Sequence, residues 1–345
     1  MNSKLIAVLA LFLASVLFIA AVPEQSDAAD TITVVDGEGV EYTLDGPTDK
    51  IVTVGVGVTA TVIGVGAIDK IVVCDSYSKT NAAPVFDQLR QYIDQGRIAA
   101  NGNIYSSVMD QLRTDIVNAA DPETGTFDKG SDVVIVTGSD TYRANIVPYL
   151  RELGFAYVME WSDIKDYGDI IGFVSTMSMI CNGSVHESVE QMENMAKVIS
   201  NGVGGLEKRD ATYVTYSGNV FKVGNYGSLA TSMIAAAGGN VVTYDGGNTA
   251  STYEANLTLL VEQHPDMVLF VDNTIHSNAE RLADLQRMVG DDIQLVPLDP
   301  IWNNYCIESM DGVWTMACAM YPDVFQGDVP EIDNGDSSND GNMLL

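Results

Sequence analysis

From Tyr167 to about Ser200 the chain runs without a proline, and its apolar residues return at every third or fourth position. Ile171, Val174, Ser178, Cys181 and Val185 make the first part of this stripe, and Val189, Met192, Met195 and Val198 the second. A stripe of that period buries one face of a helix, and its length predicts a single helix on the order of 45–50 Å long. Gly172 and Asn182-Gly183 are its weak points, because a glycine costs a helix interior about 1 kcal/mol. Such a rod outruns a domain radius of roughly 13–15 Å, so it predicts a brace between two domains. The chain length of 345 residues points the same way, since one core rarely organises so many residues.

On both sides of the rod short apolar strands alternate with helical segments. Before it, Thr31–Val35 and Glu41–Leu44 predict a hairpin around Asp36-Gly37-Glu38-Gly39, with strands at Ile51–Val54, Ile71–Val73, Val133–Val136 and Phe155–Val158. Helices are predicted over Thr59–Val65, Tyr105–Ala119 and Ile146–Leu153. After it come strands at Thr212–Tyr216, Val241–Thr243, Met267–Val271 and Ile293–Val296, with helices at Tyr226–Ala237, Tyr253–Gln263, Asn278–Val289 and Glu308–Met320. This order predicts an α/β protein of two Rossmann-like α/β lobes joined by one long α-helix, with a ligand cleft between the lobes. The expected limits are an N-terminal lobe at 30–165, the linker helix at 166–201, a C-terminal lobe at 202–330 and a disordered acidic tail at 331–345.

Residues 1–29 carry Lys4 followed by an uncharged apolar run from Leu5 to Val22 and then small polar residues. That layout predicts a signal peptide or an N-terminal anchor, and hence an extracytoplasmic chain. The formal net charge of −30, from 17 Lys+Arg against 47 Asp+Glu, repels phosphate backbones and excludes a nucleic-acid partner. The cysteines Cys74, Cys181, Cys306 and Cys318 show no metal-type spacing, and free buried thiols are expected of them. The three histidines, His186, His264 and His276, are dispersed, so no dedicated metal site is predicted. No nucleophile elbow is present, and no catalytic residue is assigned. Gly55-Val56-Gly57 after the first lobe strand, with Asp75 after the second, mimics a dinucleotide fingerprint. The two-turn helix that follows favours a tight turn lining a cleft instead.

Ligands of open α/β sheets sit beyond the carboxyl ends of the strands. In this chain those ends hold Asp75-Ser76-Tyr77, Thr141-Tyr142-Arg143, Ser217–Lys222, Tyr226 and Pro300-Ile301-Trp302. Tyr77, Tyr142, Tyr226 and Trp302 are expected to stack on a ligand, and Arg143 and Lys222 to complement its negative charge.

The order of these features resembles the substrate-binding proteins of ABC importers for iron–siderophore, haem and cobalamin-type ligands. The phrases that carry the likeness are Pro47–Gly55, Gly66–Val73, Tyr226-Gly227-Ser228-Leu229, Ala237-Gly238-Gly239-Asn240, His264–Leu269 and Met320–Phe325, spread in family order from about Thr31 to Val329. The resemblance implies a monomeric bilobed protein that captures a metal chelate, a ferric siderophore ahead of haem or cobalamin. It implies delivery to a membrane permease driven by a cytoplasmic ATPase, with no cofactor and no chemistry of its own. Family members dock through an acid on each lobe; Asp110 or Asp115 is the nearest acid in the first lobe, with Asp110 taken as the docking residue, and Glu254, one turn before Thr258 on the same expected helix, is the candidate in the second. The alternatives are an extracytoplasmic chelate-processing enzyme and a bare zinc- or manganese-binding protein on a similar scaffold.

Overall fold

The computed structural model describes residues 31–105, 107–162, 164–243 and 251–330. The expected N-terminal signal segment and acidic tail lie outside these residues. In chain order the strands and helices are β1 (Ile32–Val35), β2 (Glu41–Leu44), β3 (Ile51–Val54), α1 (Val56–Gly64), β4 (Ile71–Cys74), α2 (Ser76–Thr80), α3 (Asp87–Asp94), α4 (Met109–Ala119), β5 (Val133–Thr137), α5 (Asp140–Glu152) and β6 (Tyr157–Trp161). Then follow α6 (Tyr167–Asn182), α7 (Glu187–Gly202), β7 (Asp210–Ser217), β8 (Val220–Gly224), α8 (Leu229–Ala236), β9 (Asn240–Val241), β10 (Thr252–Glu254), α9 (Leu257–Gln263), β11 (Val268–Val271), α10 (Asn273–His276), α11 (Ala279–Val289), β12 (Gln294–Pro297) and α12 (Ser309–Met320).

The first lobe is a fully parallel sheet in the order β4-β3-β5-β6, with the β1–β2 hairpin beside it. Strands β3, β4 and β5 are buried on both faces, as a sheet covered on both sides requires, while the edge strand β6 carries the half-buried Glu160. The order reverses at β3, which places a crevice at the carboxyl ends of β3 and β5. The second lobe is a mixed sheet, β10-β8-β7-β11-β12, with β9 pairing the start of β7. There β7, β11 and β12 are parallel, whereas β8 runs antiparallel to both β7 and β10.

The α/β class and the two-lobe plan agree with the sequence, but the single rod does not form. Asn182 ends α6, Gly183 adopts a left-handed conformation (φ 73°), and His186 starts α7 by accepting a hydrogen bond from the Ser188 N–H. Glycine reaches that conformation without the Cβ clash that stops other residues, so the apolar stripe is divided into two packed helices. Most of the expected stripe is buried: Val174, Ser178 and Cys181 on α6 and Val189, Met192 and Met195 on α7. Ile170, Phe173 and Met177 widen it, Ile199 takes the place of Val198, Ile171 is half-buried, and Val185 is exposed at the break.

These two helices carry the central core. One apolar cluster runs from Ile51, Ile135 and Met159 on the first sheet, through Phe173, Met177, Met192 and Met195, to Tyr213 and Phe270 on the second sheet and Val313 and Met316 of α12. The outer faces have their own cores, with Leu112, Ile116, Ile146 and Leu150 in the first lobe and Leu257, Leu260, Leu285 and Val289 in the second.

A second connection is made by the strap at 299–308, between β12 and α12. Thr61 Oγ1 of α1 donates to the Tyr305 carbonyl at 2.8 Å, and a Cβ placed on Gly57 would lie 1.9 Å from the Asn304 carbonyl oxygen. Gly57 is therefore glycine so that α1 and the strap can touch. Gly57→Ala should lower stability by about 1–3 kcal/mol, the usual cost of overpacking against backbone. A urea midpoint equal to that of the wild type would show that the strap does not seat on α1.

Candidate functional site

At the carboxyl end of β4, Asp75 is buried, 2% exposed, and starts α2 by accepting a hydrogen bond from the Tyr77 N–H at 2.7 Å. Desolvation pushes its carboxyl up to about 6, against the lowering effect of the Tyr77 and Ile104 backbone N–H groups. The α2 turn directs Tyr77 outward, 48% exposed. Its ring meets Tyr105 edge-on at 5.3 Å, and Tyr105 meets Tyr142 at 4.5 Å. Tyr105 lies in a loop oriented by Asn103, whose side-chain oxygen accepts from the Tyr105 N–H at 2.9 Å, while its amide nitrogen donates to Ser76 Oγ at 3.1 Å. Val56, Tyr77, Thr80, Asn81 and Tyr105 line an open cavity of about 360 Å³.

Beside this wall the strap brings the Tyr305 ring against Gly57 of α1. Tyr105 is held above the usual tyrosine range by burial first, then by Tyr142, Tyr77, Asp75 and Tyr305, and burial does the same to Tyr305 on the strap. Phenol rings, a hydroxyl and an amide thus face a crevice at the reversal point of the first sheet. That surface can stack on and hydrogen-bond a flat or globular organic ligand.

No known family's sequence pattern and no curated protein matches this chain. Solved structures do match its fold. The periplasmic vitamin B12 binding protein BtuF of Vibrio cholerae superposes with a TM-score of 0.59 over 80% of this chain and 98% of its own, at 16% identity. CeuE of Helicobacter pylori, solved with Ni(II) bound, gives 0.59 over 85% and 90%, at 14% identity. The periplasmic heme-binding protein RhuT of Roseiflexus sp. RS-1 gives 0.54 over 80% and 98%, at 15% identity. The chain has the periplasmic binding-protein fold.

Within that binding-protein fold the residues expected at the ligand fall into three groups. Tyr77 and Tyr142 come together through Tyr105, which the sequence places at the start of a helix; the helix begins instead at Met109. Tyr226 and Lys222 lie on the second lobe. Tyr226 is 76% exposed in the turn before α8, and Lys222 is half-buried on β8, opposite Thr215 and Glu254 in strand register. The expected loop at Ser217–Lys222 is a two-residue hairpin with Gly218 and Asn219 both at φ 65°. A Gly-Asn pair between alternating residues is the signal that could have identified it.

Arg143 and Trp302 are placed otherwise than expected. Arg143 is 4% exposed, donates from Nε to the Gly138 carbonyl at 3.0 Å, and pairs with Glu38 at 2.9 Å, Glu160 at 2.9 Å and Asp140 at 2.6 Å. Trp302 is 1% exposed, edge-on to Tyr213 at 5.6 Å, and packed so closely under α12 that a Cβ on Gly312 would lie 2.7 Å from its own. Burial of the largest apolar side chain and pairing of a buried charge take precedence over exposure to a ligand.

The expected docking acids also divide. Asp110 stands on the first turn of α4, exposed and 3.3 Å from Arg113. Glu254 is on β10 and not on a helix, because Asn256 starts α9 downstream by accepting from the Leu259 N–H at 3.1 Å. The Gly55-Val56-Gly57 turn packs against Thr137 and the strap, so the close approach that its glycines permit is used by the protein itself. The histidines have structural partners: His186 caps α7, His264 Nδ1 lies 2.7 Å from Asp210, and His276 Nε2 lies 2.8 Å from the Leu298 carbonyl oxygen. Among the described residues no three His, Cys, Asp or Glu converge on a metal position. The four cysteines are free and all but Cys318 are buried, with burial pushing the Cys181 thiol up to about 12.

Two measurements check this assignment. Arg143→Met should destabilise the fold by about 2–3 kcal/mol, below the roughly 3–5 kcal/mol of a fully enclosed pair because Asp140 and Glu38 stay partly wet. A stability equal to the wild type, by urea melting, would return Arg143 to the ligand-binding set. For Asp75, the unfolded carboxyl releases its proton near 3.9, but the folded one holds it to about 6. Between those values the folded state binds more protons, so this group's contribution to stability falls as pH rises from about 4 through 6. Asp75→Asn should remove that fall, making the variant gain about 2–3 kcal/mol on the wild type between pH 4 and pH 7, whatever its constant offset. A pH-independent difference in urea melts would contradict the buried placement.

Proposed function

We propose that the chain is the extracytoplasmic substrate-binding component of an ABC importer, capturing a metal chelate between its lobes and delivering it to a membrane permease. The observation that carries this reading is the tyrosine wall of Tyr77, Tyr105 and Tyr142 at the carboxyl ends of the first sheet, in a fold whose solved counterparts are binding proteins for vitamin B12 and heme. A ferric siderophore is the first choice of ligand, with haem or cobalamin next. Nothing is transformed in the cleft on this reading: the protein acts as a monomer, and the energy for transport comes from a cytoplasmic ATPase behind the permease. The shared core and the strap favour small movements of the lobes about the ligand.

Asp110 and Glu254 are retained as the docking acids. Both are exposed, and both lie toward the strand ends that face the crevice: Asp110 opens α4, and Glu254 closes β10 opposite Lys222 and, beyond it, Thr215 near the end of β7. Acids so placed suit a basic permease face.

Titration of the purified protein with ferric siderophores, haemin and a corrinoid, followed by calorimetry, tests the assignment. At least one should bind at micromolar concentration or better, and Tyr105→Ala should weaken it about 10- to 100-fold, the effect of losing one well-placed aromatic contact. Absence of binding across all three classes would remove the importer reading.

A further inference from the structure

The charges held beside the tyrosine wall bear on which chelates the cleft accepts, a step that rests on the binding reading above. Arg143 follows Tyr142 in the first turn of α5 and is the cation nearest in sequence to this part of the wall. Its guanidinium is enclosed by Glu38, Asp140 and Glu160, and Arg151 shares Glu160 at 3.0 Å. Two positive charges against three negative leave this group at minus one. Asp75 adds a further carboxylate beneath Tyr77.

The cavity itself is walled by phenol, hydroxyl, amide and alkyl groups from Tyr77, Tyr105, Thr80, Asn81 and Val56. On the second lobe Lys222 stands opposite Glu254, so its charge too has a counterpart in register. Lys79, exposed on α2 between Tyr77 and Thr80, is a cation at the cavity's rim. Set against Asp75 and the minus one of the Arg143 group, it leaves the first-lobe wall net negative, within a chain of net charge −30. A low-dielectric crevice focuses such a field on whatever enters it.

We propose that the cleft selects metal chelates of zero or positive net charge, such as ferric trihydroxamates or corrinoids, and discriminates against polyanionic chelates such as ferric tris-catecholates. Affinity for the accepted class comes from stacking and neutral hydrogen bonds on the tyrosines. Rejection of the other class comes from carboxylates that already occupy the neighbouring cation.

The test is calorimetric titration at low and at moderate salt with three probes: a neutral ferric trihydroxamate, a singly positive ferric trihydroxamate and a triply negative ferric tris-catecholate. The trihydroxamates should bind about 100-fold or more tighter than the tris-catecholate at low salt, with the gap narrowing as salt screens the repulsion. Equal or tighter binding of the tris-catecholate would overturn the charge selection while leaving the binding function intact. Failure of all three probes, together with haemin and a corrinoid, would overturn the binding reading and this inference with it. In the double variant Glu38→Gln, Asp140→Asn, which alters the two more exposed partners of Arg143, the tris-catecholate should gain about 10-fold and the neutral probe should change by less than about 2-fold. An unchanged ratio in a variant with wild-type circular dichroism would also refute the proposal.

Discussion

The whole arrangement depends on one apolar core that does not stop at the boundary between the lobes. Phe173 and Met177 on α6 and Met192 and Met195 on α7 bury their side chains completely or nearly so, between the inner faces of both sheets. Burying side chains of this size stabilises by about 1.5–3 kcal/mol each, and methionine adapts to the irregular gap between two differently built sheets. A hinge that swung the lobes widely would have to open this core. The crevice above it is therefore a preformed feature, and the strap at 299–308 closes one side of it by resting on α1.

That constraint explains why the site is built from short turns and loops and not from the core. The carboxyl ends of β3, β4 and β5 are the places where the first lobe has unfilled space, and the order reversal at β3 opens it. Asp75 holds α2 so that Tyr77 points outward; Asn103 holds the loop so that Tyr105 meets it. Arg143, one residue beyond Tyr142, turns the other way and ties α5 to Glu160 on β6 and to Glu38 in the hairpin turn. The same helical turn thus supplies one side chain to the crevice and one to the scaffold, and the carboxylates around the second leave the crevice without that positive charge.

Elements with a strong period were legible in the sequence. Ile51–Val54 and Glu41–Leu44 have their expected bounds, and Val133–Thr137 and Ala279–Val289 differ from expectation by one residue. Local capping decided the departures. Gly183 and His186 divide the predicted rod, and Asn256 leaves Tyr253 and Glu254 free to pair as a strand with β8. The three-residue turn at Pro84–Phe86 and the helices α2 and α3 are short enough that no period announces them. Tyr105 lies in the loop before α4 and not on it, because the apolar stripe of Leu112 and Ile116 fixes the body of that helix and not its start.

By itself the sequence determined the α/β class, the two lobes, the acidic surface and the aromatic character of the strand ends, because these follow from apolar period, charge and composition. Only the tertiary structure decided which aromatic and charged residues face the crevice. Trp302 and Arg143 have the right chemistry for a ligand, yet one fills a gap under Gly312 and the other satisfies three carboxylates. Side-chain direction at a strand end depends on what packs against it from distant parts of the chain, and that information is carried by contacts between segments, not by any local pattern.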